Sequence, residues 1–294
     1  MKKIYYITAV FATLFLVGCG DGIDLPGVNV ETDLNKIPLP DNNVNLEQVE
    51  LKPSTEPMLH EGLHTEEDFQ RIRDKKAAGE EPWVSAYQLL VESQFSQKTA
   101  DTYPTEWIKR GISGDENYMN AARGATIVYQ QALRWKIEQD DEYAAKAVEN
   151  LNKWVQTCVG VTGNTNLSLA AGLYGYEFAI AGELLRDYGG WDRADFAAFQ
   201  NWLLKVFYPA NDDFLKRHHD TNALHYWANW CLCNIAAKMA IGIVTDRRDI
   251  YNEGIDHLQT GDTNGRLRRA IYHDYAPDYN FAQWQESGRD QGHT

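Results

Sequence analysis

Two stretches of the chain concentrate side chains that move protons and hold negative charge. The first, FYPANDDFLKRHHDTNALHYWANWCLCNIAAKMAIGI, runs from Phe207 to Ile243, and the second, QESGRDQGHT, from Gln285 to Thr294. The first carries His218, His219, Asn222, His225, Tyr226 and Asn229, and the second Gln285, Arg289, Gln291 and His293. Tyr272, His273, Tyr275 and Tyr279 lie just ahead of the second. A neutral imidazole accepts a proton near neutral pH. Amide and guanidinium hydrogens stabilise negative charge that develops beside them. A phenol can give up a proton to a leaving oxygen. Together these groups suit proton transfer next to a centre that is gaining negative charge. His225 stands four residues before Asn229, one helical turn, so the two share a face.

Sharper signatures are absent from the sequence. It contains no G-x-S-x-G, H-E-x-x-H, P-loop or dinucleotide fingerprint, so neither a cofactor nor a metal is expected. The thiols of Cys231 and Cys233 read as core residues rather than ligands, although His225 is close in sequence. Asp212, Asp220, Asp274 and Glu286 could serve a hydrolase, but none comes with an evident second carboxylate across a bond. Arg289 and Asp290 could form a fold-holding ion pair, and Lys216 to His219 an ordinary wet turn. Trp107 and Trp191 are read as core rings, and Trp284 as a platform for a sugar.

These groups need a rigid base, and the pattern supplies helices. Leu224, Ala228, Cys231, Leu232, Ile235, Met239 and Ile243 fall at helical spacing, which predicts a helix from 224 to about Gly242 that follows a polar loop. Thr65 with Asp68 predicts a capping box, and Pro82 restarts the chain ahead of Trp83, Tyr87, Leu90 and Val91. Ala121, Ala125, Val128, Ala132 and Trp135 make one face, and Ala144, Ala147, Leu151 and Trp154 the next, with a turn at 139–141. Residues 167–188 form another helix, stopped by Gly189 and Gly190. Asp192 caps the one after, which carries Phe196, Phe199, Leu203 and Phe207. Asp246 and Asp249 start a last helix with Ile250, Ile255 and Leu258. Long helices on short loops lie antiparallel. Wide apolar faces rich in Ala imply an inner layer covered by an outer one. Polar clusters fall at alternate turns, at 99–114, 160–166, 208–223 and 285–293. The expected fold is therefore all-α, an α/α toroid built from antiparallel helical hairpins. The sequence stops at Thr294 inside a polar cluster with no helix to cap it, so an incomplete, truncated ring is expected.

Of the 294 residues, 44 % are hydrophobic, enough for a substantial core, and nine Trp and sixteen Tyr suit either that core or a cleft lined for sugars. A formal charge of -14 and the lack of a basic stripe exclude a nucleic-acid partner. The positive residues of the last third (Lys216, Arg217, Arg247, Arg248, Arg266, Arg268, Arg269 and Arg289) allow a locally positive cleft on an acidic protein. Lys2 and Lys3, an apolar run from Tyr5 to Val17, and Leu16-Val17-Gly18-Cys19 read as a lipoprotein signal over residues 1–18. Cys19 then becomes a lipid-bearing N-terminus, and the protein is exported to the periplasm or outer membrane. Residues 19–56 read as a flexible tether and 57–294 as the catalytic domain. Cys158, Cys231 and Cys233 leave an odd number of thiols and argue against a disulfide framework. A monomer or weak oligomer is expected.

WANWCLCNIAAKMAIGI and ESGRDQGHT resemble stretches of the alginate-lyase-like superfamily of bacterial polysaccharide lyases. HTEEDFQRIRDK, with Trp83 after it, and ENYMNAARGATIVYQQALRW are similar to that group as well, so the resemblance covers roughly residues 57–294. It implies an α/α toroid and β-elimination on uronic-acid polysaccharides such as alginate or glucuronan, leaving a 4,5-unsaturated sugar. It also implies a catalytic set of an Asn or Arg at the substrate carboxylate, a His and a Tyr. By resemblance Asn229 matches the helix-start Asn, and Arg289 and His293 match the RDQGH element. The sequence departs from the Asn-His dipeptide of well-known members, because Trp230 follows Asn229. The catalytic candidates are thus Asn229, His225, Tyr279, Arg289 and His293. Gln291, Trp284, Arg217, His219, Asn222 and Tyr226 are the substrate contacts, and the partner is an anionic polysaccharide. The alternatives are a glycoside hydrolase on a similar ring and a non-catalytic surface glycan-binding lipoprotein.

Overall fold

The computed structural model describes residues 55, 58–60, 62–274 and 282–286. The signal, Cys19 and almost all of the tether lie outside them, as do Tyr279, Arg289, Gln291 and His293.

The fold is all-α in its framework. The expected capping box opens α1 (Glu66–Ala77): Thr65 Oγ1 accepts from the Asp68 amide at 3.1 Å, and Asp68 accepts from the Thr65 amide at 3.0 Å. Then come α2 (Trp83–Glu92), α3 (Tyr118–Glu138), α4 (Asp141–Thr157), α5 (Leu167–Leu184) and α6 (Arg193–Val206). The chain continues through α7 (Tyr208–Arg217), α8 (Ala228–Val244), α9 (Arg248–Thr260) and the short α10 (Leu267–Ala270). Among the described residues, no helix is long and apolar enough to cross a membrane.

Helix α5 packs between α3 and α8, and these three form one row. Helix α4 covers α3, α9 covers α8, and α6 lies against α4, α5 and α7. The sequence explains the division. Helices α5 and α8 bury residues on every side, as members of a covered layer must, whereas α4 buries one face, from Tyr143 and Ala144 through Ala147, Val148, Asn150 and Leu151 to Trp154, and leaves the opposite face wetter. The result is the two-layered arc of hairpins of an α/α toroid. Trp154, Phe178, Trp202 and Phe207 form its aromatic centre, with successive rings 5.4, 5.3 and 5.1 Å apart. Their indole donors find partners in Thr102 Oγ1 and the Cys158 carbonyl, as buried Trp requires. A second, smaller core around Phe214, Tyr226, Trp230 and Ile235 lies beside the α7–α8 loop.

Three expectations need correction. Residues 208–217 are helical rather than loop, with Pro209 in the first turn, where its missing N–H costs nothing. Helix α8 begins at Ala228, not at 224, because 221–227 is held in turns. The segments read as irregular at 99–114 and as loop at 160–166 contain β1 (Trp107–Arg110) and β2 (Gly160–Gly163), paired in parallel. A further hairpin, β3 (Ile271–Asp274) with β4 (Ala282–Trp284), closes the described chain.

That parallel pair has a structural effect. β1 leads into α3 and β2 into α5, so pairing them sets the N-terminal ends of the two helices side by side. Gly172 does the same for α5 and α8. A Cβ there would lie 2.6 Å from Cys233 Sγ and 3.0 Å from the Cys233 backbone, so the helices approach to a distance only glycine allows. Gly172 and Cys233 each stand five residues beyond the first residue of their helix, which levels the two N-terminal ends. Gly172→Val should overpack this crossing and lower unfolding free energy by about 1–3 kcal/mol. Urea denaturation of the variant checks this.

Candidate active site

The expected gathering of alternate turns is visible in their contacts. β1 and β2 join the first two. The loop before α8 joins them through His219, whose Nε2 lies 2.8 Å from Ser168 Oγ in the first turn of α5, and whose ring also bonds the Thr165 backbone. The C-terminal segment joins through Gln285, whose Oε1 accepts from the Ala228 amide at 2.7 Å. Helix α8 has no side-chain cap of its own, and Trp227 stands at its N-cap. Its first orphan donor is therefore satisfied by a residue from the far end of the chain.

The loop from α7 to α8 is unusually constrained. His218, His219 and Asp220 all adopt positive φ, at 47°, 52° and 62°. Each such non-glycine residue costs on the order of 1–3 kcal/mol and persists only where its surroundings hold it. Those surroundings are dense. Phe214, the last turn of α7, packs against His218 at 4.7 Å and His219 at 5.4 Å between ring centroids. His218 Nε2 lies 3.5 Å from Cys231 Sγ. Asn222 Oδ1 accepts from the Leu224 amide, and its carbonyl from the His225 amide, which folds the loop tightly before α8. Asn264 donates to the carbonyls of Leu224 and Tyr226 from the opposite side.

Against this frame the predicted residues separate into groups. Asn229 sits in the first turn of α8, and its Oδ1 is buried with no hydrogen-bond partner among the described residues. That oxygen is an acceptor, and the NH2 of the same side chain is the part that can donate to a carboxylate. His225 is half-buried in the turns before α8, so it does not share a helical face with Asn229 as the spacing predicts, and its ring is edge-on to Tyr226 at 4.8 Å. Tyr226 is only 3 % exposed and is wedged between Phe214, His219 and Trp230, so it braces the histidines. Asn222 shapes the loop in the same way. Arg217 is exposed and forked onto Asp213 and Asp220. Trp284 is half-buried in β4 opposite Ile271. Tyr279, Arg289, Gln291 and His293 lie outside the described residues.

Residues that sequence reasoning did not single out complete the site. Ser168 and Asn264 hold the loop in place, and neither carried a motif. Arg110, at the inner end of β1, lies over the Tyr118 ring at 4.7 Å with a buried Nη1 that has no partner among the described residues. Of the carboxylates named for a hydrolase, Glu286 is buried beside Gln285, and two are engaged in ion pairs. Asp212 pairs with Lys216 and Lys238, and Asp220 with Arg217. Among the described residues, no group of three or more His, Cys, Asp or Glu is placed to hold a metal ion.

Four buried imidazoles are held neutral. Burial pulls His218 down to about 4, aided by the nearby His257, His219 and His225. Burial likewise brings His257 to about 4, with Lys238 adding to the effect, and lowers His64 and His219. The unfolded chain, with histidines near 6.5, therefore binds more protons than the folded one as pH falls from about 6.5 to about 4, and stability falls with it. Glu177 runs the other way. Burial lifts its carboxyl to about 7, so its ionisation costs stability as pH rises from its unfolded value. Four lowered imidazoles outweigh one raised carboxyl. The melting temperature should drop between pH 6.5 and 4.5, and His257→Gln should flatten that drop, as thermal unfolding across the range would show.

The family model described as Alginate lyase matches residues 72–270, which contain His225 and Asn229 and end before the β3–β4 hairpin. No curated protein matches the chain.

Proposed function

The chain belongs to the alginate lyase family, and from that premise we propose that it cleaves uronic-acid-containing polysaccharides of the alginate or glucuronan type by β-elimination. The observation that carries the reading is the family match over residues 72–270, which takes in the strained loop at His218–Asp220 and Asn229 in the first turn of α8, beside the Ala228 amide that Gln285 caps.

The reaction sets the requirements. The hydrogen on C5 of a uronate is weakly acidic because the adjacent carboxylate is already negative. Neutralising that carboxylate with fixed donors lets charge build there in the transition state. Asn229 supplies an amide, and Arg289 and Gln291 a guanidinium and a second amide. The N-terminal ends of α3, α5 and α8, drawn together by β1–β2 and Ser168–His219, add partial positive charge at the same end of the arc. A neutral imidazole, His225 or His293, takes the C5 proton. The electron pair becomes the C4–C5 double bond, the C4–oxygen bond breaks, and a phenol, assigned to Tyr279, protonates the departing oxygen. His219, Asn222 and Tyr226 hold His225 in position, while Arg217 and Trp284 flank the substrate path.

Wild-type protein mixed with alginate, glucuronan, pectate or glycosaminoglycan should generate the ultraviolet absorbance of a conjugated unsaturated uronate on at least one of them. Asn229→Ala should lower kcat by roughly 10²–10³-fold, the scale of one lost transition-state donor. New reducing ends without that absorbance would mean a hydrolase, and binding without either a glycan-binding protein.

We also propose export and anchoring through a lipid on Cys19, which rests on the Leu16–Cys19 pattern after the apolar run. Cys19→Ser should move the protein from the membrane fraction to the soluble fraction on cell fractionation. An unchanged distribution would refute the anchor.

A further inference from the structure

Sequence reasoning places Trp107 in the core, and the structure does not. Its indole is 43 % exposed, beside Tyr103 at 73 % and Val159 at 55 %. Large apolar side chains exposed together mark a binding surface more often than chance placement does. The way this ring is mounted is specific. It rests against Gly160, the residue facing it across the strand pair. A Cβ at Gly160 would come within 2.5 Å of the ring and 3.2 Å of a second of its atoms. The indole is thus seated on bare backbone while much of it remains open to solvent. The mounting is stiff, because the Trp107 carbonyl accepts from both Asn117 Nδ2 and Thr105 Oγ1, and the Val159 amide bonds the Glu106 carbonyl.

Strand alternation adds a charge. Ile108 points into the core at 0 % exposure, so Trp107 and Lys109 share the outward face. Lys109 holds its ammonium against Asp115, itself exposed, at 2.7 Å. A flat ring followed two residues on by a cation matches a polymer that presents an apolar pyranose face on one unit and a carboxylate on a neighbour. The direction is also set. From Gly160, β2 runs to Gly163, about 10 Å at the usual strand rise, and then to Thr165 and Ser168, which hold His219. The outer end of the pair carries the indole and the inner end reaches the candidate catalytic loop.

We propose that Trp107, seated on Gly160 and flanked by Lys109, is an outlying subsite that stacks a pyranose ring of a uronate polysaccharide more than one sugar away from the bond that breaks. This rests on the reading of the chain as a uronate lyase and extends it to where a long substrate is gripped. The test uses the full chain and two readouts. Affinity electrophoresis in gels containing alginate or glucuronan reports binding, and ultraviolet absorbance reports elimination on the polymer and on a trisaccharide. Trp107→Ala should weaken retention by the polymer roughly fivefold to tenfold, the scale of one aromatic contact. It should raise KM on the polymer and leave trisaccharide turnover unchanged. Trp107→Phe, which keeps a flat ring, should recover most of the retention, and this separates lost stacking from lost folding. Unchanged retention by Trp107→Ala, or equal loss on polymer and trisaccharide, would overturn the subsite while leaving the lyase reading intact. Retention that depends on Trp107 without any unsaturated product would uphold the subsite and overturn the lyase reading.

Discussion

The close approach of α5 and α8 at Gly172 is the constraint on which the site rests. Side chains normally hold packed helices apart, and here one helix has none at the contact. With Cys233 pressed against bare backbone, the two N-terminal ends come level, and Ser168 can reach His219 across the gap. Without that bond the left-handed run at His218–Asp220 would lose one of its few tethers. The loop would relax toward more ordinary backbone angles, and His225 and Asn229 would move with it. Packing in the middle of the bundle therefore fixes geometry at its end.

A second constraint comes from burial of the imidazoles. Four histidines are kept from protonation by their surroundings, and two of these belong to the loop itself. Neutral rings pack against Phe214 and Tyr226 without the cost of placing charge among aromatics. They also leave the local field to helix ends and fixed cations such as Arg110. On a chain with a formal charge of -14, a site for an anionic polymer depends on such local placement more than on net charge.

Much of the fold was legible in the residues. Period and capping signals located α3 to α6 and α9, because those helices carry their own punctuation: Asp192 caps α6 and Gly189 follows the end of α5. The capping box at Thr65 is local chemistry and could be read directly. What escaped was set by distant partners. Helix α8 starts at Ala228 because Gln285 satisfies its first amide, and no window around Ala228 contains that information. Strands β1 and β2 are four residues each, too short to show alternation, and exist because they find one another. Helix α7 hid behind Asn211, Asp212 and Asp213, residues that usually signal a turn. Around the α7–α8 loop, His219 and Asn222 were recognisable by type, whereas the shared face read for His225 and Asn229 fails because His225 precedes the helix. Ser168, Asn264 and Arg110 were not recognisable, since a lone hydroxyl, amide or guanidinium has no meaning until something is placed beside it. Trp107 shows the converse error, because an aromatic in a short irregular segment reads as core until its neighbour proves to be glycine.

The cap that Gln285 gives to Ala228 spans 57 residues. A polypeptide emerging N-terminus first thus makes the helix bearing Asn229 long before it makes the acceptor that finishes it. Until the last turn of the chain docks, the start of α8 has an amide with no protein acceptor and can fray. The start of α8 then becomes rigid later than the aromatic frame of Trp154, Phe178, Trp202 and Phe207, whose residues all precede it.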